Sequence, residues 1–140
     1  MTFGSIKPYP VYFYVQRKSY FGDLNRPIPF EFEVLNIGNA MDANKGIFTA
    51  PKSGVYHFTF DGIGRDRAVV NLSTDDKYVG TAFAPYNYYQ NLNTLTLSST
   101  LKLKKGDQIK LLLMEGAISS DDYRIVTHFT GMLVAEDEHE

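Results

Sequence analysis

The 140-residue chain contains no cysteine and no tryptophan. The absence of cysteine excludes disulfide scaffolds, thiolate zinc sites, iron–sulfur clusters and thiol nucleophiles. Long apolar runs are also absent, because the longest, such as residues 11–15 and 111–114, fall far short of the roughly 18 residues of a transmembrane helix. The net charge of −2, from 14 basic and 16 acidic residues, is unlike the basic surface of a nucleic-acid-binding protein.

The two ends of the chain are interpreted as extensions of a single domain. Residues 1–10, MTFGSIKPYP, form a lead-in without the apolar stretch of a signal peptide, so a secretion signal is not among these residues. Residues 136–140 include four acidic residues and are interpreted as a solvated acidic tail. Residues 11–135 are of the right length for one domain.

Alternation of apolar and polar residues dominates the sequence, which is rich in tyrosine and phenylalanine (10 of each). A period of two is typical of half-buried β-strands, and turn signals separate the alternating segments. The pattern predicts an all-β sandwich or barrel with strands near residues 11–17, 30–36, 46–50, 55–63, 67–73, 77–83, 92–104, 107–114 and 124–134.

Two of these predicted strands carry apolar residues at consecutive positions. Residues 111–114 read LLLM and residues 132–134 read MLV. A strand that is apolar on both sides needs cover on both, and a second sheet can supply only one. The pattern therefore favours an oligomer in which a neighbouring subunit covers the other side.

Tyr86, Asn87, Tyr88 and Tyr89 belong to the most unusual segment of the chain, PYNYYQN at residues 85–91. Tyrosines among amides suit a loop that stacks on sugar rings, and they equally suit a protein-recognition surface. These residues are candidate ligand-binding residues. The alternative is that the tyrosines pack between subunits.

Arg65 and Arg67 flank Asp66 between two predicted strands and form a second candidate ligand-binding site. A guanidinium group can hold a carboxylate, including that of sialic acid, through paired hydrogen bonds. The alternative is an ordinary solvated loop. Asn71 lies in an Asn-Leu-Ser glycosylation sequon, but its position in a predicted strand argues against its use.

Adjacent carboxylates occur at two places and are candidate calcium ligands: Asp75, Asp76, Asp121 and Asp122. Calcium takes six to eight oxygen ligands, which two such loops could supply only by meeting. The alternative is that aspartates occupy turns because they bond to nearby backbone. We therefore expect no cofactor.

Histidine occurs only at His57, His128 and His139, and no sequence pattern of a serine hydrolase, zinc protease or P-loop enzyme is present. A nucleophile and its base must lie within hydrogen-bonding distance of each other, and nothing in the sequence indicates such a pair. The sequence predicts that the protein is not an enzyme.

Three segments, in order, resemble the C1q domain family, the globular head module of complement C1q, cerebellins and related secreted proteins. The first spans residues 32–60, FEVLNIGNAMDANKGIFTAPKSGVYHFTF. Its matching residues are Phe32, Asn36, Gly38, Met41, Asp42, Gly46, Phe48, Ala50, Pro51, Gly54, Tyr56, Phe58 and Phe60. The second and third segments match at Leu101, Leu103, Gly106, Asp107 and Ile109, and at Thr127, Phe129, Gly131 and Leu133.

The resemblance implies a two-sheet jelly roll of about ten antiparallel strands, related to tumour necrosis factor and usually assembled as a symmetric trimer. It further implies a secreted, extracellular module that recognises glycans, microbial surfaces or a receptor protein, as in innate immunity. It implies neither nucleic-acid binding nor membrane insertion. The alternatives are a module whose role is trimerisation alone, and a cytokine-like receptor ligand.

The sequence departs from the family pattern in two respects. Many complement-type heads carry cysteines near the positions of Val69 and Ala84, and this chain has none. Members that bind calcium use loop carboxylates near the apex of the trimer, whereas residues 85–91 contain no carboxylate. Family-type calcium binding is therefore not expected.

Overall fold

The computed structural model describes residues 10–75, 77–84 and 91–137, which contain nine β-strands and no helix. The strands are β1 (Tyr12–Arg17), β2 (Phe32–Ile37), β3 (Met41–Asp42), β4 (Ile47–Thr49), β5 (Gly54–Ser73), β6 (Tyr78–Phe83), β7 (Leu92–Leu103), β8 (Gln108–Ile118) and β9 (Thr127–Glu136). All of their pairings are antiparallel.

The long strand β5 belongs to two sheets. Residues 54–65 pair with β7 and residues 54–61 with β9, whereas residues 69–73 pair with β6 and β8. Sheet I therefore has the order β2-β1-β9-β5-β7, and sheet II has the order β6-β5-β8-β4-β3. With β5 counted once in each sheet, each has five strands, which confirms the predicted jelly-roll sandwich of about ten antiparallel strands.

Aromatic side chains fill the space between the sheets. Phe13 lies 5.4 Å from Phe48, 6.3 Å from Phe58 and 5.0 Å from Phe129 between ring centroids. All four rings are buried, and each contributes about 1.5–3 kcal/mol by leaving water. Gly131 permits this packing, because a Cβ there would lie 2.7 Å from Phe13 Cζ.

A buried arginine holds the connection between β1 and β2. Arg17 donates hydrogen bonds to the backbone carbonyls of Ser19 (3.0 Å), Pro29 (2.8 Å) and Tyr20 (2.8 Å). Its guanidinium carbon lies 5.1 Å from the ring centroid of Phe21. Burial lowers the pKa of the Arg17 guanidinium, although the carboxylate of Glu31 acts in the opposite direction.

The connection held by Arg17 completes sheet II along β8. Asn25 N–H donates to Leu113 O (2.7 Å) and Ile28 N–H donates to Leu111 O (2.8 Å). These bonds occupy the edge of β8 beyond the short strand β4, which pairs only with residues 108–110. The connection therefore takes the place of a longer β4.

The strand boundaries differ from the prediction at a few positions. The predicted strands 55–63 and 67–73 form one continuous strand, because pairing with β8 stops after Arg65 and resumes at Val69. β8 continues to Ile118, beyond the predicted end at 114. Glu136, predicted to begin a solvated tail, ends β9 and lies 3.0 Å from Lys52 Nζ.

The consecutive apolar residues of β8 and β9 lie on opposite sides of the molecule. Leu112 and Met114 are half-buried on the outer face of sheet II, whereas Met132 and Val134 are exposed on the outer face of sheet I. Pro27, in the β1–β2 connection, pairs with Leu112. The two apolar stretches therefore face opposite sides of the sandwich, and among these described residues those of β9 are the more exposed.

Candidate functional site

The bulge in β5, residues 65–67, is the most unusual backbone in the described part of the chain. Asp66 and Arg67 have φ angles of 58° and 59°, which non-glycine residues adopt only at an energetic cost. Gly116 of β8 faces the bulge, and a Cβ there would lie 2.6 Å from Asp66 O. The strained backbone is therefore fitted against a position that accepts only glycine.

The described residues next to residues 85–90 bond to the bulge and to Ala68, the residue that follows it, on either side of the tyrosine-rich segment. Ala84 N–H donates to Ala68 O at 2.9 Å, immediately before that segment. After it, Asn91 Oδ1 accepts a hydrogen bond from Asp66 N–H at 3.0 Å, and Asn91 Nδ2 donates to Asp66 Oδ1. Ala84 and Asn91, the described residues that flank residues 85–90, are thus both bonded beside the bulge, about 20 residues away in sequence.

The four candidate residues of that segment lie outside the described residues: Tyr86, Asn87, Tyr88 and Tyr89. Both candidate arginines are described, and both are exposed. The Arg65 side chain, 44% exposed, has its Nε 4.0 Å from Asp66 Oδ2. An ion pair of this length at the surface contributes little and leaves the guanidinium able to bind another anion.

Exposed apolar side chains flank the bulge on neighbouring strands and were not predicted from the sequence. Phe83 is 60% exposed and pairs with Val69, and Leu92 is 44% exposed and pairs with Arg65. We use the name apical site for the bulge residues Arg65, Asp66 and Arg67 together with these two side chains. Alternation within β6 could have indicated Phe83, because its neighbour Ala82 faces the core.

The carboxylate pairs do not meet. Ser73, two residues before Asp75, pairs with Lys110, and Gly64 pairs with Ile118, three residues before Asp121. The eight residue steps from Lys110 to Ile118 along β8 separate the strand ends that carry these loops by about 25 Å. Asp75 therefore lies far from Asp121 and Asp122, whereas Asp76 lies outside the described residues.

Asp121 instead organises its own loop. Its Oδ1 accepts hydrogen bonds from the backbone N–H groups of Tyr123 (2.9 Å) and Arg124 (3.0 Å). The bond from Tyr123 is the main reason that the pKa of Asp121 is lowered, and the bond from Arg124 acts in the same direction. Among residues 10–75, 77–84 and 91–137, no three His, Asp or Glu side chains group closely enough to hold a metal ion.

A groove of about 960 Å³ lies at the opposite end of the sandwich, between the loop at residues 36–45 and the β7–β8 turn. Asn36 spans that loop by accepting a hydrogen bond from Met41 N–H (3.2 Å) and donating to Met41 O (2.7 Å). Asp42 Oδ1 accepts from Lys45 N–H at 3.2 Å. These polar groups bond to one another within the loop and stabilise it, which accounts for their presence in the wall of the groove.

Asn71, the sequon residue, is buried. Its Oδ1 accepts a hydrogen bond from the Thr81 hydroxyl at 2.6 Å, across the β5–β6 pair. Only 9% of the residue is exposed. The folded domain therefore offers no accessible asparagine side chain at this sequon.

The outer face of sheet I has an apolar half and a polar half. On β2, β1 and β9 its side chains are mainly apolar: Phe32, Leu35, Ile37, Tyr12, Tyr14, Met132 and Val134. On β5 and β7 they are mainly polar: His57, Thr59, Asp61, Thr96, Ser98 and Thr100. Ile37, Met132 and Val134 are 40–49% exposed, which is unusual for a surface that faces only water.

Both described histidines lie on this outer face and are bonded within it. His57 Nδ1 lies 2.8 Å from Thr100 Oγ1, and its Nε2 lies 3.2 Å from Ser98 Oγ. His128 Nε2 lies 3.0 Å from Ile125 O, which can only accept, so Nε2 carries the hydrogen. His128 Nδ1 then accepts from the Tyr14 hydroxyl at 2.7 Å.

The comparisons with known proteins agree with this fold. The family model for the C1q domain matches residues 12–134. Human complement C1q tumor necrosis factor-related protein 3 is 35% identical over 126 residues, which is 84% of this chain and 48% of that protein. Zebrafish caprin-2 is 31% identical over 119 residues, which is 83% of this chain and 13% of that protein.

Solved structures resemble the fold at low sequence identity. The globular domain of zebrafish complement 1qA protein has a TM-score of 0.73 at 19% identity and covers 91% of this chain and 99% of that one. Eiger TNF from S. frugiperda has a TM-score of 0.72 at 10% identity, and the match covers 93% of this chain and 96% of that one. Both likenesses support the jelly-roll fold alone.

The chain spans half the length or less of the curated relatives named above. None of its described residues form a helix that is long and apolar enough to cross a membrane. The family model covers most of the described strands, and the three motifs of the sequence lie within it. The chain therefore belongs to the C1q domain family.

Proposed function

We propose that this chain is the recognition domain of a secreted, non-enzymatic protein that assembles as a homotrimer and binds an extracellular glycan, microbial surface or receptor protein. Membership of the C1q domain family supports an oligomeric recognition or signalling module. The observation that carries the proposal is that Asn91 and Ala84, on either side of residues 85–90, bond to Asp66 of the strained bulge and to Ala68 next to it.

The apical site combines the chemistry that an anionic, partly apolar ligand requires. The guanidinium groups of Arg65 and Arg67 are exposed and can hold a carboxylate through paired hydrogen bonds. Leu92 presents apolar surface directly opposite Arg65 on β7, and Phe83 of β6 does so on the other sheet, opposite Val69. Such a combination suits a sugar or peptide that carries a carboxylate beside an apolar group.

The test is binding of the purified protein to an array of carboxylate-bearing and neutral oligosaccharides. We expect that Arg65→Ala with Arg67→Ala weakens binding to the preferred ligand at least tenfold, and that substitution of Tyr86, Tyr88 and Tyr89 by alanine also weakens it. The double arginine variant and the triple tyrosine variant should both keep the circular dichroism spectrum of the wild type.

Lys104→Ala with Lys105→Ala is the matched control, because it removes two exposed cations at the other end of β7. Leu103 pairs with Gly54 and Leu92 with Arg65, so the control site lies about 35 Å from the bulge along the strand. Equal binding by the arginine variant and the lysine variant would contradict the assignment of the apical site.

The trimer is proposed to form through the outer face of sheet I. The exposed apolar side chains of β2 and β9 on that face make it the natural surface to bury against a second copy. Because its apolar and polar halves differ, a ring formed by head-to-tail contacts fits it better than a two-fold pair.

Light scattering tests the assembly directly. We expect a mass near three times 15.9 kDa for the wild type and a lower mass for Ile37→Glu. Leu24→Glu is the control, since Leu24 is 49% exposed, against 45% for Ile37, and lies in the β1–β2 connection rather than on sheet I. A wild-type monomer, or a trimer that survives Ile37→Glu, would contradict this interface.

A cytokine-like receptor ligand is the second candidate, supported by the similarity to complement C1q tumor necrosis factor-related protein 3. It predicts saturable binding to particular cell types and no binding to isolated sugars. A module for trimerisation alone predicts a trimer that binds neither.

A further inference from the structure

We propose that Tyr123 is a site of tyrosine O-sulfation, the acceptor of a sulfuryl group that a sulfotransferase of the secretory pathway transfers from an adenylyl sulfate donor. The inference rests on the proposed secretion, because this modification takes place in the secretory pathway. The two aspartates directly before Tyr123, Asp121 and Asp122, have no role in the apical site.

Tyr123 is the most exposed large hydrophobic side chain among the described residues. It is 91% exposed, whereas the next most exposed, Phe83, is 60% exposed. It lies between the end of β8 at Ile118 and the start of β9 at Thr127, outside the strands. An enzyme can therefore reach the phenol oxygen without disturbing either sheet.

The two carboxylates before Tyr123 have different positions. Asp121 Oδ1 accepts hydrogen bonds from the N–H groups of Tyr123 (2.9 Å) and Arg124 (3.0 Å), so Asp121 shapes the turn that carries the tyrosine. Asp122 is exposed to solvent. Arg124 offsets one of the two negative charges, and residues 121–124 keep a net charge of −1. An enzyme that selects tyrosines beside carboxylates through its own basic residues is attracted to such a turn.

The other described tyrosines each lack one of these features. Tyr78 is 58% exposed and follows Asp75 by three residues, but it belongs to β6 and pairs with Ser73. Tyr20 is 53% exposed, and its ring lies over Gly22, where a Cβ would be 2.6 Å from the Tyr20 hydroxyl oxygen. The remaining described tyrosines are half-buried or buried: Tyr12, Tyr14 and Tyr56.

The transfer itself is a substitution at sulfur. The phenol oxygen of Tyr123 forms a bond to the sulfur of the donor, and the bond between that sulfur and the phosphate oxygen of the nucleotide breaks. The electron pair of the broken bond leaves with the nucleotide, and the phenol proton passes to a base of the sulfotransferase. Nothing is oxidised or reduced, so the donor is the only co-reactant.

The loop that carries Tyr123 lies at the same end of the sandwich as the apical site. Ser119 N–H donates to Ile63 O at 2.8 Å, and Ile63 precedes Arg65 by two residues. Gly64, next to Arg65, pairs with Ile118. The sulfate therefore adds a negative charge at the end of the domain where the proposed ligand binds.

The test incubates the purified, folded chain with an animal tyrosylprotein sulfotransferase and phosphoadenylyl sulfate, followed by mass spectrometry of tryptic peptides. Cleavage after Lys110 and Arg124 releases residues 111–124, in which Tyr123 is the only tyrosine. We expect this peptide to gain the mass of one SO₃ group. A synthetic peptide of residues 115–128 tests the same sequence outside the fold.

Three variants identify the acceptor and what the enzyme recognises. Tyr123→Phe should abolish the gain in mass. Asp122→Asn should slow it at least about fivefold, because a charge at the rim of a docking surface mainly speeds encounter. Asp75→Asn is the matched control, since it removes one exposed carboxylate from the other described aspartate loop, and it should leave the rate unchanged.

Each other outcome has a definite meaning. A folded chain that gains no sulfate on residues 111–124 overturns the proposal, and modification of the synthetic peptide alone would then show that the fold withholds the tyrosine. Equal rates in the wild type and Asp122→Asn also overturn it, because recognition would not depend on the aspartate.

The protein isolated from its natural source separates this proposal from the proposed function. Protein found outside cells without sulfate on Tyr123 overturns the modification and leaves the proposed secretion intact. Protein found only inside cells overturns the proposed secretion and the modification together.

Discussion

Replacement of Arg17 by methionine should destabilise the domain more than any change in an exposed charge. The guanidinium donates to three backbone carbonyls of the β1–β2 connection, those of Ser19, Tyr20 and Pro29, and packs on Phe21. Methionine preserves much of the packing volume and removes all three hydrogen bonds.

The expected loss follows from these contacts. A hydrogen bond to a charged group contributes roughly 1.5–3 kcal/mol, so three would give about 4.5–9 kcal/mol before any offset. Removal of the charge also removes its desolvation cost, and the freed carbonyls regain some water, which reduces the net loss to about 2–4 kcal/mol. For a domain of this size that corresponds to a decrease in melting temperature of about 6–15 °C.

Urea unfolding at pH 7 and differential scanning calorimetry measure this loss. Arg17→Lys is the informative control, because a lysine keeps the positive charge and cannot reach three carbonyls in fixed directions. We expect it to lose about half as much as Arg17→Met. A change below about 0.5 kcal/mol in Arg17→Met would refute the view that this arginine holds the connection.

Three further predictions concern other described residues. Gly116→Ala should lower the free energy of unfolding, measured in urea, by about 2–4 kcal/mol and should weaken ligand binding. The reason is that the alanine Cβ would collide with Asp66 O and that residue 116 has a positive φ. An unchanged stability would contradict the close packing of the bulge against β8. Thr127→Val should raise the free energy of unfolding by about 1 kcal/mol, and with it the melting temperature, because the buried Thr127 hydroxyl has no hydrogen-bond partner among the described residues. A lower melting temperature would contradict this expectation. Burial acts to raise the pKa of Glu31, but hydrogen bonds from the backbone N–H groups of Lys18 and Ser19 outweigh it and leave the pKa lowered. The stability that Glu31 provides is therefore present above its unfolded pKa of about 4.3 and is lost as the pH falls through the lower folded value. The difference in melting temperature between wild type and Glu31→Gln should consequently narrow between pH 5 and pH 3. A difference that does not depend on pH would contradict this role of Glu31.

Local patterns predicted most of the fold, because alternation reports directly which residues face a core. The strand predicted at 77–83 appears as β6 (Tyr78–Phe83), and that predicted at 92–104 appears as β7 (Leu92–Leu103). The continuity of β5 was not predictable from its own residues. Asp66 and Arg67 interrupt the alternation, and only pairing with β8, some 45 residues later, carries the strand across them.

The candidate site was predictable in its chemistry and not in its geometry. The exposure of Arg65 and Arg67 follows from their charge, but their connection to the tyrosine-rich segment depends on the bond between Asp66 and Asn91, which no local pattern encodes. The separation of the carboxylate loops depends likewise on the register of β8. Exposure of Phe83 reflects its outward position near the end of an edge strand rather than its hydrophobicity.

The bulge in β5 separates the residues that can vary from those that set the register. Arg65, Asp66 and Arg67 are exposed, whereas Gly64 and Ala68 on either side are buried. Changes at the three exposed positions therefore alter charge and shape at the surface while the two sheets keep their pairing. Under the proposed function, a scaffold of this kind would let ligand preference diverge at little cost in stability, and this three-residue stretch is an informative place to compare relatives.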